Sequence, residues 1–245
     1  MDASVSDLTA WLISALMLFL GCWLQSAVGF GMAVVAAPVI VLVRPEWVPY
    51  VLVITALPLC LINMWHQREG LQPRAMLVPM LTRIPGTVTG VWLLLHLNTV
   101  RLQIAVSVCV LIAVLISARS VHFDATPGRL GWAGLAGGFM GTTTSIGGPP
   151  MALVMQHGHP LAVRANLSLY FSFSVMTSII GYTAAGMLNG HLLLVSLSFL
   201  PCPVLGFALG ARSRAYVDRN RFRHALLGIC TVAAIVALAG ALFKM

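Results

Sequence analysis

GLAGGFMGTTTSIGGPPMALV, running from Gly134 to Val154, is apolar enough to enter a bilayer and too broken to cross it as one helix. Gly147 and Gly148 favour turns, and Pro149 and Pro150 cannot donate the backbone hydrogen bonds that a helix interior needs. Lipid offers no partners for the N–H and C=O groups that such a break frees. They must be met by protein, by a cavity or by a ligand. LQSAVGFGMAVVAAP, from Leu24 to Pro38, has the same character, with glycines at 29 and 31. Both stretches are therefore candidate binding elements.

Composition agrees with a membrane environment. Of 245 residues, 59% are hydrophobic and only 8% charged, too few to give a soluble domain its polar skin. The fold class expected is an all-α polytopic membrane protein. A formal charge of +8 would point to nucleic acid in a soluble chain, but here the bases sit mostly in short connections between apolar runs. That is the positive-inside pattern, and it argues against nucleic acid as a partner. Asp2 and Asp7 precede the first apolar run and no Lys or Arg does, so that run lacks the basic flank of a cleaved signal and is expected to be retained. Cys22, Cys60, Cys109, Cys202 and Cys230 contain no Cys-x-x-Cys pair and read as small apolar side chains.

Eight apolar segments are expected, at roughly 9–43, 48–65, 75–97, 102–118, 130–157, 165–187, 191–211 and 224–243. The halves, 1–120 and 121–245, echo one another. Gly70, Pro85 and Gly90 recur 116 residues later as Gly186, Pro201 and Gly206, and RLQIAVSVCVLI from Arg101 resembles RFRHALLGICTV from Arg221. One glycine-broken segment opens each half, which favours an internal duplication.

Charge then orients the segments. Arg212, Arg214, Arg219, Arg221 and Arg223 place their connection on the cytoplasmic side, and the Arg164 connection follows it there. Arg119 and Arg129 also call for the inside, so the second broken segment enters and leaves on one side, as a re-entrant hairpin turning near Thr142 to Pro149. Counting spans back from there places the Arg68 and Arg74 connection inside, and if the first broken segment is likewise a hairpin, both termini lie outside. Ten bases are then inside and three, Arg44, Arg101 and Lys244, outside. Each half becomes a hairpin followed by three spans, and the second half is inverted relative to the first, a transporter architecture.

The tips carry the candidate chemistry. In the first, Gln25 and Ser26 bring hydrogen-bonding groups beside Gly29 and Gly31. In the second, Thr142, Thr143, Thr144 and Ser145 are four consecutive hydroxyls ahead of Gly147, Gly148 and Pro149. Pro149 suits the first turn of a returning half-helix, and two half-helix N-termini meeting at midplane would form an anion site without formal charge. Close helix packing through small residues is the competing account of the same glycines and hydroxyls. Arg83 lies in LVPMLTRIPGTVTGVWL, with no acidic residue well inside any apolar segment to pair with it. It is either a substrate ligand or an arginine held by backbone carbonyls or snorkelling to an interface. Asn166, Ser168, Ser172, Ser174, Thr177 and Ser178 thread one helix and either line the path or bond between helices. The histidines fall near segment ends, so no metal is expected, and no cofactor.

AVGFGMAVVAAPVI at Ala27 to Ile40 and GGFMGTTTSIGGPP at Gly137 to Pro150, with Ala165, Asn166 and the helix after them, resemble the TauE/SafE family of sulfite and organosulfonate permeases. The family pattern of a glycine-rich opening, a following proline and a small residue heading the next span is carried by Gly29, Gly31, Pro38, Gly147, Gly148 and Pro150. Phe30 within the first glycine cluster and Pro149 in the second depart from it. The resemblance implies an inner-membrane transporter, not an enzyme, whose partners are a small anion and the lipid bilayer. Sulfite, thiosulfate or organosulfonates are the implied substrates. Alternating access at the hairpin tips is the mechanism expected from the inverted repeat; an anion channel of the same fold and a small-carboxylate transporter are the alternatives. Whether the protein is a monomer or a homodimer is left open by the sequence.

Overall fold

The computed structural model describes residues 7–118, 125–213 and 219–243. Asp2, Arg119, Asp124, Arg214, Asp218 and Lys244, which entered the charge reading, lie outside the described residues. Those described form eleven α-helices: α1 (Asp7–Val28), α2 (Met32–Val43), α3 (Tyr50–His66), α4 (Pro73–His96), α5 (Thr99–Ala118), α6 (Pro127–Thr144), α7 (Gly148–Met155), α8 (Pro160–Ala184), α9 (Gly190–Ser198), α10 (Pro201–Ser213) and α11 (Arg219–Leu242). Four spans, Asp7–Val28, Pro73–His96, Pro160–Ala184 and Gly190–Ser213, are long and apolar enough to cross a membrane. The last is not one continuous helix. It breaks at Phe199 and Leu200, because Pro201 and Pro203 cannot continue the hydrogen bonding of α9.

Lipid-facing and packed surfaces separate cleanly along α4. Leu77, Leu81, Ile84, Val88, Trp92 and Leu95 are exposed and recur every three or four residues, forming one apolar stripe. Such a stripe suits lipid rather than water. Trp65, Trp92 and Trp132 are exposed, whereas Trp47 is buried against Phe199.

Small residues hold the packed face, since apolar burial does little to drive helix association within lipid. A Cβ at Gly134 of α6 would lie 2.4 Å from the Pro79 carbonyl oxygen of α4, and one at Gly86 of α4 would lie 2.3 Å from the Leu135 carbonyl oxygen of α6. One turn further along, Gly90 meets Thr142. The contacts advance together along both helices, so α4 and α6 run parallel. α10 packs on α1 in the same manner: Gly206 meets Cys22 and Trp23, and Gly210 meets Ser26. Gly86 and Gly90 thus serve α4 against α6 as Gly206 and Gly210 serve α10 against α1.

α3 and α8 cross at the centre and run antiparallel. Tyr50, at the start of α3, stacks edge-on against Tyr182 near the end of α8, while Gln67, just past α3, bonds Arg164 near the start of α8. α1 and α6 end where the chain turns back on itself. Gly21 approaches Met32 across the first break, and Gly137 approaches Gly147 across the second.

Candidate functional site

The first break spans Gly29 to Gly31. Gly29 and Gly31 have φ of 111° and 122°, which residues with a Cβ rarely adopt. Gln25 and Ser26 belong to the last turn of α1. The Gln25 Oε1 accepts from the Met32 N–H at 3.2 Å, capping the first donor of α2, and its Nε2 points at the Cys60 Sγ at 3.5 Å. Ser26 Oγ accepts from Asn63 Nδ2 at 3.3 Å.

The second break spans Ser145 to Gly147. Ser145 is left-handed, with φ of 65°. Gly147 caps α7 with no side-chain bond to its first turn, where Pro149 and Pro150 carry no N–H and Gly148 keeps its donor. A Cβ on Gly147 would sit 2.4 Å from the Gly137 carbonyl oxygen, so only glycine allows this return.

The two breaks meet around a cavity of about 60 Å³, measured as the space open to the centre of a water-sized sphere. That is room for a few waters or one small oxyanion. Its walls include Gln25, Gly31 and Met32 from the first hairpin, and Gly141, Ser145, Ile146, Gly147 and Gly148 from the second. α3 adds Leu52, Val53, Ala56 and Cys60, and α8 adds Phe171, Ser174, Val175 and Ser178. No carboxylate is among the lining residues.

The hydroxyl run contributes less directly than its composition promises. Thr143 donates back to the Phe139 carbonyl at 2.8 Å, and Thr144 donates to that of Met140 at 2.8 Å. These are the i−4 bonds by which threonine serves its own helix. Thr142 pairs with Ser178 at 3.1 Å, behind the wall. Of the four hydroxyl residues only Ser145 lines the cavity, and it donates to the Pro49 carbonyl at 3.0 Å.

Arg83 is 1% exposed and does not line the cavity. Its Nη1 donates to the Gly137 carbonyl at 2.8 Å and to the Tyr170 hydroxyl at 3.3 Å. Its Nη2 donates to the Ser174 carbonyl and the Ser178 hydroxyl at 3.3 and 3.2 Å. Of the two roles open to it from sequence, this geometry is that of an arginine held by carbonyls. The guanidinium nevertheless stands directly behind the wall, since a Cβ at cavity-lining Gly141 would lie 3.2 Å from Nη2. Asn166 lies away from the cavity, where its Oδ1 accepts from the Gln72 N–H at 2.8 Å and pins the entry to α4.

The structure therefore brings together Gln25, Gly31, Ser145, Gly147 and Gly148, with Gly29, Ser26, Thr142 and Arg83 immediately behind them and Pro149 in the first turn of α7. Cys60, Ala56 and Phe171 were not among the residues singled out from sequence. Nothing distinguishes them there from packing side chains. Ser174 and Ser178, spaced four apart on α8, did carry a signal. Among the described residues no group of three His, Cys, Asp or Glu side chains is placed to hold a metal ion.

The family model for the sulfite exporter TauE/SafE matches residues 13–237. No curated protein and no solved structure matches the chain. The match runs from early in α1 into the last helix and includes both breaks and every wall of the cavity; the chain belongs to the sulfite exporter TauE/SafE family of membrane transporters.

Proposed function

We propose that this protein carries a small sulfur oxyanion or sulfonate across the inner membrane, held between the two hairpin tips. The observation that carries the reading is the uncapped N-terminus of α7, opened by Gly147 and Gly148 onto a carboxylate-free cavity with the Arg83 charge behind it. Backbone N–H groups and the positive helix end favour an anion there, while a cation would find no carboxylate ligand. Ser174 and Ser178 add hydroxyl donors at the same wall.

Alternating access is supported by the relation between the halves, 1–120 and 121–245. α3 and α8 occupy matching places and run antiparallel, and α4 grips α6 through Gly86 and Gly90 as α10 grips α1 through Gly206 and Gly210. Matching elements in opposed directions are what an inverted repeat requires, with the substrate between the halves. Gln25 caps the Met32 N–H of α2, and in α7 Pro149 and Pro150 carry no N–H, so Gly148 is the one of its first three residues that can offer the anion a donor.

Flux into proteoliposomes of purified protein, measured for sulfite, thiosulfate, small sulfonates and small carboxylates with and without a pH gradient, tests this reading. Uptake of the sulfur anions accelerated by the same anion preloaded inside is expected of a carrier. Uptake indifferent to preloading would replace the carrier with a channel, and no uptake of any anion would overturn the assignment.

A further inference from the structure

Beyond the cavity walls on α3 and α8 stand two sets of contacts that occupy matching positions but differ in chemistry. On α3, Cys60 is followed by Asn63 and Gln67; on α8, Val175 is followed by Ser178 and Tyr182, with the same spacing. Asn63 bonds Ser26 and Ser178 bonds Thr142, two residues that also occupy matching places in the hairpins. Beyond these pairs the halves diverge.

One set is a polar ladder. Gln67 Nε2 donates to Asn63 Oδ1 at 3.3 Å, and Arg164 Nε donates to Gln67 Oε1 at 2.9 Å. The Arg164 stem also lies under the first tip, where a Cβ on Gly29 would come within 3.1 Å of its Cγ. Asn63 and Gln67 are each only 3% exposed, so the ladder is packed shut. From Cys60 to Gln67 it spans about 10 Å along the helix axis. The other set is aromatic: Tyr50 and Tyr182 meet edge-on with ring centroids 5.1 Å apart, and the Tyr182 hydroxyl donates to the Thr142 carbonyl.

Resting on the transporter reading, we infer that these are two unlike gates: a polar latch of Gln67 and Arg164 on the face carrying Arg68 and Arg74, and an aromatic gate of Tyr50 and Tyr182 on the other. The chemistry makes them open differently. Arg164 donates to a neutral carboxamide, and an arriving oxyanion is the stronger acceptor for a guanidinium. An anion approaching from the basic face therefore competes for Arg164 and loosens the latch as it enters. The aromatic gate is held by a ring contact and a hydroxyl bond to a carbonyl, and it opens by displacement of its rings. The protein thus takes up or releases its anion at one face through an arginine and at the other through an aromatic constriction.

Labelling of a cavity thiol tests this without needing the substrate. In a variant whose only cysteine is Cys60, a cavity-wall residue, a membrane-impermeant thiol reagent is applied from each face separately. Gln67→Ala and Arg164→Ala are expected to speed labelling about 10-fold from the Arg68 face and leave the other face unchanged, the scale of one lost charge-assisted hydrogen bond. Tyr182→Ala should do the reverse. Arg164→Lys and Tyr182→Phe, which keep the charge and the ring, should fold readily and stay close to the parent, Arg164→Lys showing a smaller increase from the Arg68 face alone. Equal acceleration from both faces, or none in folded Gln67→Ala and Arg164→Ala, would overturn the gate assignment. Such a failure would leave anion flux untouched, whereas absent flux with face-specific labelling would sink the transport reading alone.

Discussion

At Arg83 a guanidinium that no carboxylate among the described residues neutralises is held by two carbonyls, the hydroxyls of Tyr170, Thr177 and Ser178, and the Tyr170 ring, whose centroid lies 5.6 Å from its Cζ. Arg83→Gln leaves the Gly137 and Ser174 carbonyls without these donors inside the bundle. We expect purified Arg83→Gln to lose about 1.5–3 kcal/mol of stability, read as a fall in the midpoint of thermal unfolding. Arg83→Lys should lose less, because it keeps the charge but not the planar fork that spans α6 and α8. An Arg83→Gln protein as stable as the parent would contradict this placement. Ser178→Ala acts on both, since Ser178 reaches the cavity and also accepts from Arg83: it should weaken anion binding about 2-fold to 10-fold and lower the unfolding midpoint by less than Arg83→Gln does. That an arginine sits inside the membrane is legible in the sequence, because LVPMLTRIPGTVTGVWL contains no other charge. Its acceptors are not legible, because Gly137 and Ser174 contribute backbone oxygens, which carry no side-chain signature. The hydroxyls of Thr143 and Thr144 mislead for the opposite reason: their composition is conspicuous, yet the preceding turn of their own helix absorbs them.

Among the elements, the broken helices are the most legible part of the fold, since glycine and proline act on the backbone within a few residues of where they stand. Breaks at Gly29 to Gly31 and Ser145 to Gly147 follow directly from them. The split of α9 from α10 is a weaker sequence signal, because Leu200 and Pro201 continue an apolar run that reads as one span. Gly147→Val should force the Gly137 carbonyl away and lower flux at least about 10-fold while insertion and protein level stay normal. Gly31→Val should behave similarly because of its positive φ. Gly190→Ala is the control: nothing lies within 4 Å of its added Cβ, and transport should be unchanged. Equal flux in all three variants, measured in proteoliposomes at matched protein content, would remove the special role of the breaks.

For the whole molecule, the charge distribution and the antiparallel crossing of α3 and α8 make one topological demand. The Arg68 to Arg74 connection and the turn at Gly186 to Gly190 must lie on opposite faces, the basic one inside. Single cysteines at Glu69 and Asn189 in a cysteine-free background should label from opposite sides of sealed vesicles; labelling of both from one side would end the inverted arrangement. If the two hairpin tips share one anion site, changes to either should impair the same transport. Uptake of radiolabelled sulfite by proteoliposomes decides this, comparing the parent with Gly31→Val in the first hairpin and with Gly147→Val and Ser178→Ala around the second. Saturable uptake by the parent, accelerated by preloaded sulfite and impaired by changes on either side of the cavity, is expected. Uptake that survives undiminished when either hairpin is altered, in variants shown to be folded, would contradict the shared site.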